Sequence, residues 1–319
     1  MQHFLLSAAA RTLSLKQVFR MSDAEAYETF CQLRWPETDG EAVCPRCGCA
    51  ETYNITSRRR FKCVACHHQF SVTSGTIFAS RKLTFVDLLA AIVIFVNGAK
   101  GVSALQVSRD LDVQYKTAFV LSHKLREAMA LEQQNRRLDG VVEIDGAYFG
   151  GYVKPENEKA DRKDRRLAMN RTGKRQCVVV MRERGGKSLS FVVRNEGDAV
   201  PMVRDHVGTL ATIHADEGTG WDALHAGWNV HRVNHSVQFM DEGACTNQAE
   251  SYFSRLRRME IGTHHHIAGP YLYAYAQEAS WREDNRRVSN GSQAMLVAES
   301  AMASPVSRKW AAYWQRKAG

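Results

Sequence analysis

Val141-Val142-Glu143-Ile144-Asp145 is a short β-branched run that ends on a carboxylate, and its reading decides the fold of the largest domain of this chain. Valine and isoleucine suit a pleated, half-buried surface, so the run predicts a strand with an acid at its end. Similar runs follow at 177–181, 189–193, 212–214 and 230–233, and helices are predicted at 199–207, 221–226 and 246–259. Three strands followed by helix, strand, helix, strand and helix make an α/β order with a mixed sheet. Between the first two strands, residues 154–175 are dense in Lys and Arg with interspersed Glu and Asp. That is the pattern of a solvated loop, one able to close over a nucleic-acid backbone.

A second acid, Asp216, follows the fourth strand in Thr212-Ile213-His214-Ala215-Asp216, and a third, Glu250, lies on the helix that begins near Thr246. If the first and fourth strands are parallel neighbours, their ends bring Asp145 and Asp216 together, and the later helix delivers Glu250 to the same crevice. Clustered carboxylates repel, so such a site holds divalent cations, and oxygen-only ligands favour Mg2+ or Mn2+ over zinc. Two such ions about 3.5–4 Å apart serve phosphodiester cleavage, the chemistry of nucleases and of strand transfer. Asn247, Glu250, Ser254 and Arg257 recur at helical spacing, so a carboxylate and a cation share one helix face. For each acid taken alone, an ordinary acidic surface position is the competing explanation.

Upstream, Cys44-Pro45-Arg46-Cys47 and Cys63-Val64-Ala65-Cys66 form two C-x2-C knuckles with the spacing of a zinc ribbon. Four thiolates close a tetrahedral Zn2+ shell with no open position, so this metal is structural and the module points to a partner. Arg58, Arg59, Arg60 and Lys62, with Phe61 among them, lead into the second knuckle and give it a basic, nucleic-acid-binding character. A helix before the ribbon starts near Ser22 and stops at Trp35-Pro36, and another spans 83–97. Residues 101–111, a short turn at 112–114 and an amphipathic stretch to 129 then read as helix-turn-helix. The second helix carries Gln114, Tyr115, Lys116, Thr117, His123, Lys124 and Arg126, types able to reach phosphates or base edges. Two packed helices with a solvated basic face are the alternative.

A net charge of +9 favours a polyanionic partner such as DNA, and 44% hydrophobic content in 319 residues supports two or three domains. The remaining cysteines, Cys31, Cys49, Cys177 and Cys245, follow no disulfide pattern, which fits a reducing cytoplasm. The apolar run at 88–96 is too short to span a membrane, and residues 4–10 read as the start of a helix rather than a signal peptide. Trp310, Tyr313 and Trp314 read as a helix packed on the core.

In combination these residues are specific. The chain resembles bacterial insertion-sequence transposases of the DDE type, in the ISXO2-like group that carries an N-terminal zinc ribbon, over residues 21–287. The resemblance rests on the ribbon cysteines, on residues 142–151 around Asp145, on Ala215-Asp216-Glu217, Val233-Asn234-His235-Ser236 and residues 246–258, and on Gly262-Thr263-His264-His265 and residues 278–285. It implies a multi-domain α/β protein: an N-terminal helical segment (1–40), a zinc ribbon (41–80), a helix-turn-helix-like region (81–135), an RNase H-like catalytic domain with a mixed sheet (136–290) and a C-terminal helical tail (291–319). It also implies that Asp145, Asp216 and Glu250 ligate Mg2+ or Mn2+ and that Arg257 is the basic residue seven positions past the third acid. Relatives commonly carry an acid where this chain has Gly146, and they vary at the third acidic position, where Asn247 lies one turn before Glu250. The stronger magnesium ligand is the carboxylate, which favours Glu250. His235, or one of His264 and His265, is expected near phosphate on the strength of the same motifs.

The function implied is a transposase that binds element ends and target DNA, cleaves and transfers strands, works as a homo-oligomer on DNA and resides in the bacterial cytoplasm, nucleoid-associated when bound. A catalytically silent DNA-binding relative and a zinc-ribbon nuclease without strand transfer are the alternatives.

Overall fold

Serine hydroxyls set the first helix starts. In the computed structural model, which describes residues 4–150, 156–163, 173–233 and 245–317, Ser14 caps α1 (Leu15–Val18) and Ser22 caps α2 (Asp23–Arg34), each through a capping box with the residue three positions on. The stretch expected to begin a helix at 4–10 is instead two 3-10 turns, Phe4–Leu6 and Ala8–Ala10. There the Ser7 hydroxyl donates to the Phe4 carbonyl at 2.6 Å, a local bond that competes with helix propagation. The chain divides into two compact units, Met1–Glu132 with Arg287–Gly319, and Gln133–Arg286.

In the first unit, β1 (Thr52–Ile55), β2 (Arg60–Cys63) and β3 (Gln69–Phe70) form an antiparallel sheet. Helix α3 (Phe85–Asn97) follows, capped by Thr84, and nearly all of its residues are buried, as its apolar run requires. Then come α4 (Ala104–Asp110), capped by Ser103, and α5 (Tyr115–Gln133), joined by a turn in which Asp112 takes a positive φ of 48°.

The second unit is built on β4 (Val141–Gly150), β5 (Arg175–Glu183), β6 (Ser188–Val193), β7 (Thr212–Asp216) and β8 (Asn229–Val233), in the spatial order β6-β5-β4-β7-β8. The first three pair antiparallel, whereas β7 lies parallel to β4 and β8 parallel to β7. This is the RNase H-like mixed sheet. Strand alternation gives it two apolar faces. Val142, Ile144, Val179, Ile213 and Ala215 pack with Val200 and Val203 of α6 (Val200–His206) and with Trp221 and Leu224. Ala147, Phe149, Val178 and Val180 pack instead with α7 (Asn247–Met259) and α8 (Gly269–Asp284). The helix expected at 221–226 is a 3-10 stretch, Thr219–Ala226, bounded by Gly218 and Gly227.

The chain re-enters the first unit through α9 (Asn290–Ala303), which packs on α2 and α3. It ends in α10 (Tyr313–Lys317). Trp310, buried to 2% exposure, stacks on His123 at 4.2 Å and meets Phe119 edge-on at 5.9 Å. No described helix is long and apolar enough to cross a membrane.

Candidate active site

The parallel pairing of β4 and β7 places Ile144 opposite Ala215, and both point into the α6 side of the sheet. The next residue of each strand is Asp145 and Asp216, so the two carboxylates sit side by side on the α7 side. Asp145 was expected to end its strand, but β4 continues to Gly150 because β5 pairs with it as far as Gly150 opposite Arg175. What stops at Ile144 is the ladder to β7. Each aspartate is oriented by a nearby amide: Gly146 N donates to Asp145 Oδ1 at 2.7 Å and Gly218 N to Asp216 Oδ1 at 3.1 Å.

A third carboxylate faces them. Glu196 opens the 3-10 turn Glu196–Ala199 after β6, and its carboxyl is pushed up to about 7, first by burial and then by the charges of Asp216 and Asp145. The buried Cys177 thiol on β5 is raised to about 12 by burial and then by Glu196, Asp145 and Asp198. Both groups register one local negative potential, and an all-oxygen donor set in such a field fits a hard divalent cation.

Helix α7 is tied to this strand edge by a buried side chain. Glu143, two residues before Asp145 on the same face, accepts the amides of Gln248 at 2.7 Å and Ala249 at 3.1 Å through Oε2. Its Oε1 takes Arg184 Nε at 2.9 Å. A carboxylate at a helix N-terminus satisfies amides with no intrahelical partner and opposes the dipole. The helix buries Ala249, Tyr252, Phe253, Leu256 and Met259, leaving Asn247, Glu250 and Arg257 exposed on its other face. Asn247 and Glu250 therefore stand in the first turn, next to the clamped amides, and Arg257 follows two turns along with its guanidinium 5.8 Å from the Phe253 ring. Glu250 is exposed where Glu196 is half-buried.

The ribbon is assembled by two matching turns. Gly48 N bonds Cys44 O at 2.9 Å and His67 N bonds Cys63 O at 3.1 Å, with Gly48 and His67 both at positive φ. The ligand sulfurs of Cys44, Cys47, Cys63 and Cys66 all lie within 4.8 Å of one another, Cys44 to Cys66 at 3.6 Å and Cys47 to Cys63 at 3.5 Å. Sulfurs about 2.3 Å from a tetrahedral zinc sit about 3.8 Å apart, so the cluster fits Zn2+. The amide of Cys66 draws the Cys63 thiol down to about 6, while Cys47 and Cys66, which share hydrogen bonds with it, are pushed up.

Alternation in β2 sorts the basic residues near the ribbon. Phe61 turns inward against Trp35 and Phe70, each at 5.6 Å, while Arg60 and Lys62 share the opposite face with exposed Tyr53. Arg58 is exposed. Arg59, at the hairpin tip, is engaged within its own unit by an ion pair to Asp23 and by the Tyr27 ring 5.3 Å from its guanidinium. On α5, Gln114 precedes the helix and, with Tyr115, Lys116 and Thr117, is exposed. His123 and Arg126, expected among the residues able to reach nucleic acid, are buried to 1% and 2% exposure, because Trp310 covers His123 and Arg126 lies 5.3 Å from the Phe95 ring. Lys124 is half-buried and its ammonium is disfavoured by burial.

Two family models match this chain, the transposase zinc-ribbon domain over residues 21–69 and the ISXO2-like transposase domain over residues 137–284. The chain therefore carries a transposase zinc ribbon followed by an ISXO2-like transposase domain. No curated protein matches it. Among solved structures, the crystal structure of the Mos1 strand transfer complex aligns over 67% of this chain and 78% of that one, at 11% identity and a TM-score of 0.24, a likeness too loose to carry an argument.

Within this transposase the sequence reading passed over Glu196, Glu143 and Cys177. A signal for Glu196 was present: Asn195-Glu196-Gly197-Asp198 is a capping box directly after a predicted strand, and it puts a carboxylate at a strand end. Nothing local marks Glu143, whose partners on α7 lie more than a hundred residues away and whose Arg184 partner lies 41 away. His264 packs on Tyr275 at 4.6 Å, and His265 is held at positive φ. His235 lies outside the described residues.

Proposed function

We propose that this transposase binds the ends of an insertion sequence, hydrolyses a phosphodiester to free a 3′-hydroxyl and directs that hydroxyl onto target DNA. The observation that carries the reading is the side-by-side placement of Asp145 and Asp216 where the β4–β7 ladder ends, inside a domain of a transposase family. Mg2+ or Mn2+ held there supplies charge to activate the attacking oxygen and to stabilise the leaving one. Asp145 and Asp216 are the ligands from the sheet, and Glu250, in preference to Asn247, is the ligand from α7, which Glu143 fixes against β4. Arg257, on the same exposed stripe as Glu250, is suited to hold a phosphate of the scissile strand.

Recognition is assigned to the first unit. Arg58, Arg60 and Lys62 beside Tyr53 offer charge and one aromatic face to a DNA backbone. The exposed start of α5, with Gln114 and Lys116, is the end of a helix-turn-helix that meets base edges. Arg59 orients the hairpin through Asp23, and Lys124, half-buried, approaches phosphate from the flank of the same helix. The reading carries with it a homo-oligomer on DNA, working in the bacterial cytoplasm and at the nucleoid.

The test is a supercoiled plasmid bearing the element ends, incubated with protein and Mg2+. Wild type is expected to nick at the ends and to yield strand-transfer products, whereas Asp145→Ala and Asp216→Ala bind the ends and do neither. Cleavage that survives both substitutions overturns the site. Cleavage without any joined product reduces the activity to that of a nuclease.

A further inference from the structure

We propose that Glu196 is a further ligand of the divalent cation, a carboxylate supplied by the turn after β6 to stand beside Asp145 and Asp216; this rests on the site reading above. The topology brings it there. Strand β5 is antiparallel to both β4 and β6, and β7 is parallel to β4, so β4, β6 and β7 run the same way. Their carboxyl ends open on one edge of the sheet, the edge where α/β sheets bind ligands. Glu196 lies three residues beyond Val193, the last residue of β6.

Three glycines make room for its side chain. A Cβ at Gly146 would lie 2.5 Å from Glu196 Cγ and 2.9 Å from Oε1, so the carboxylate rests on the residue that follows Asp145. A Cβ at Gly218 would lie 3.0 Å from Asp216 Oδ1 and 3.5 Å from Glu196 Oε2, so the second oxygen reaches the loop after Asp216. At Gly220 a Cβ would come within 3.1 Å of Glu196 Cβ. A side chain at Gly146 would therefore displace the acid. Among the described residues, the Glu196 carboxylate accepts no hydrogen bond and makes no ion pair. A half-buried carboxylate whose oxygens lie against the glycines that neighbour two aspartates is unfavourable in its charged form unless a proton or a cation neutralises it. Mg2+ and Mn2+ take six oxygens and draw them from carboxylates and water, so a further acid extends the shell without changing its chemistry.

The experiment is a Mn2+ titration of the zinc-loaded full chain, read by the electron paramagnetic resonance signal of free Mn2+, with folding checked by circular dichroism. Asp145→Asn is expected to weaken Mn2+ binding strongly. Glu196→Gln should weaken it by at least about tenfold, and Glu196→Asp should restore part of the loss. Gly146→Ala keeps every carboxylate but pushes Glu196 aside, so it should weaken binding as well, and it carries the test if Glu196→Gln fails to fold. Wild-type affinity in Glu196→Gln and in Gly146→Ala, with Mn2+ lost in Asp145→Asn, overturns the role of Glu196 and leaves the aspartate site standing. No Mn2+ uptake by wild type, or uptake unchanged by Asp145→Asn, overturns the site reading and this inference together.

Discussion

Glu143 makes four contacts from one buried carboxylate: two amides of α7, the Arg184 guanidinium and the Cys245 thiol at 3.9 Å. Replacing it with Gln removes the charge that those donors share and leaves Arg184 without its carboxylate. Glu143→Gln should cost about 3 kcal/mol in urea unfolding and abolish cleavage, although Asp145, Asp216 and Glu250 all remain. At the opposite extreme of burial, Glu25 is held below the ordinary glutamate range by the Ser22 amide and then by the Ser22 hydroxyl. A folded carboxyl that titrates lower adds stability above the unfolded value, and this is lost as pH falls through the folded one. An NMR titration should find Glu25 below 4.5, its ordinary value, and Ser22→Ala, which removes the hydroxyl but keeps the amide, should raise it only part of the way back. The capping box behind that shift was legible in the sequence because all its atoms lie within four residues.

Elements differ in how much of themselves their own sequence reveals. Strand positions followed from β-branched runs, yet β4 proved longer than its apolar segment, because Gly146 to Gly150 are held by β5 and not by their own propensity. The ribbon was legible because four thiolates at fixed spacing define their own geometry. Removing zinc with a chelator should abolish hydrogen-exchange protection across residues 52–70 and leave that of 175–183 unchanged. On β2, Arg60→Ala and Lys62→Ala should each weaken binding to end DNA and reduce the slope of log K against log salt by about 1. Helix α5 shows the limit of helical periodicity. A wheel sets His123 beside Lys124 and Arg126 as polar, but only Trp310, from far along the chain, reveals that His123 is core. Trp310→Ala should destabilise the first unit by about 3–5 kcal/mol, measured as loss of its unfolding midpoint.

At the scale of the whole molecule, the second unit is continuous in sequence, Gln133–Arg286, whereas the first needs both ends of the chain. The fragment 133–286 should fold on its own, with the far-UV signature of an α/β domain. A chain ending at 286 should lose cooperative unfolding of the first unit, since α9 packs on α2 and α3.

The sequence by itself determined the zinc ribbon, the strand order along the chain, the helix pair on either side of residues 112–114, and the two aspartates that follow apolar strand segments. Each of these depends on residue type, spacing and period within a short window, where backbone geometry is the same in every protein. The tertiary structure alone decided that β4 and β7 are parallel neighbours, that Glu143 holds α7 in place, that His123 and Arg126 are buried, and that Glu196 faces Asp145 and Asp216. These are pairings between residues tens to hundreds of positions apart. Their energies come from burial and charge at short range in space, and distance along the chain does not encode them.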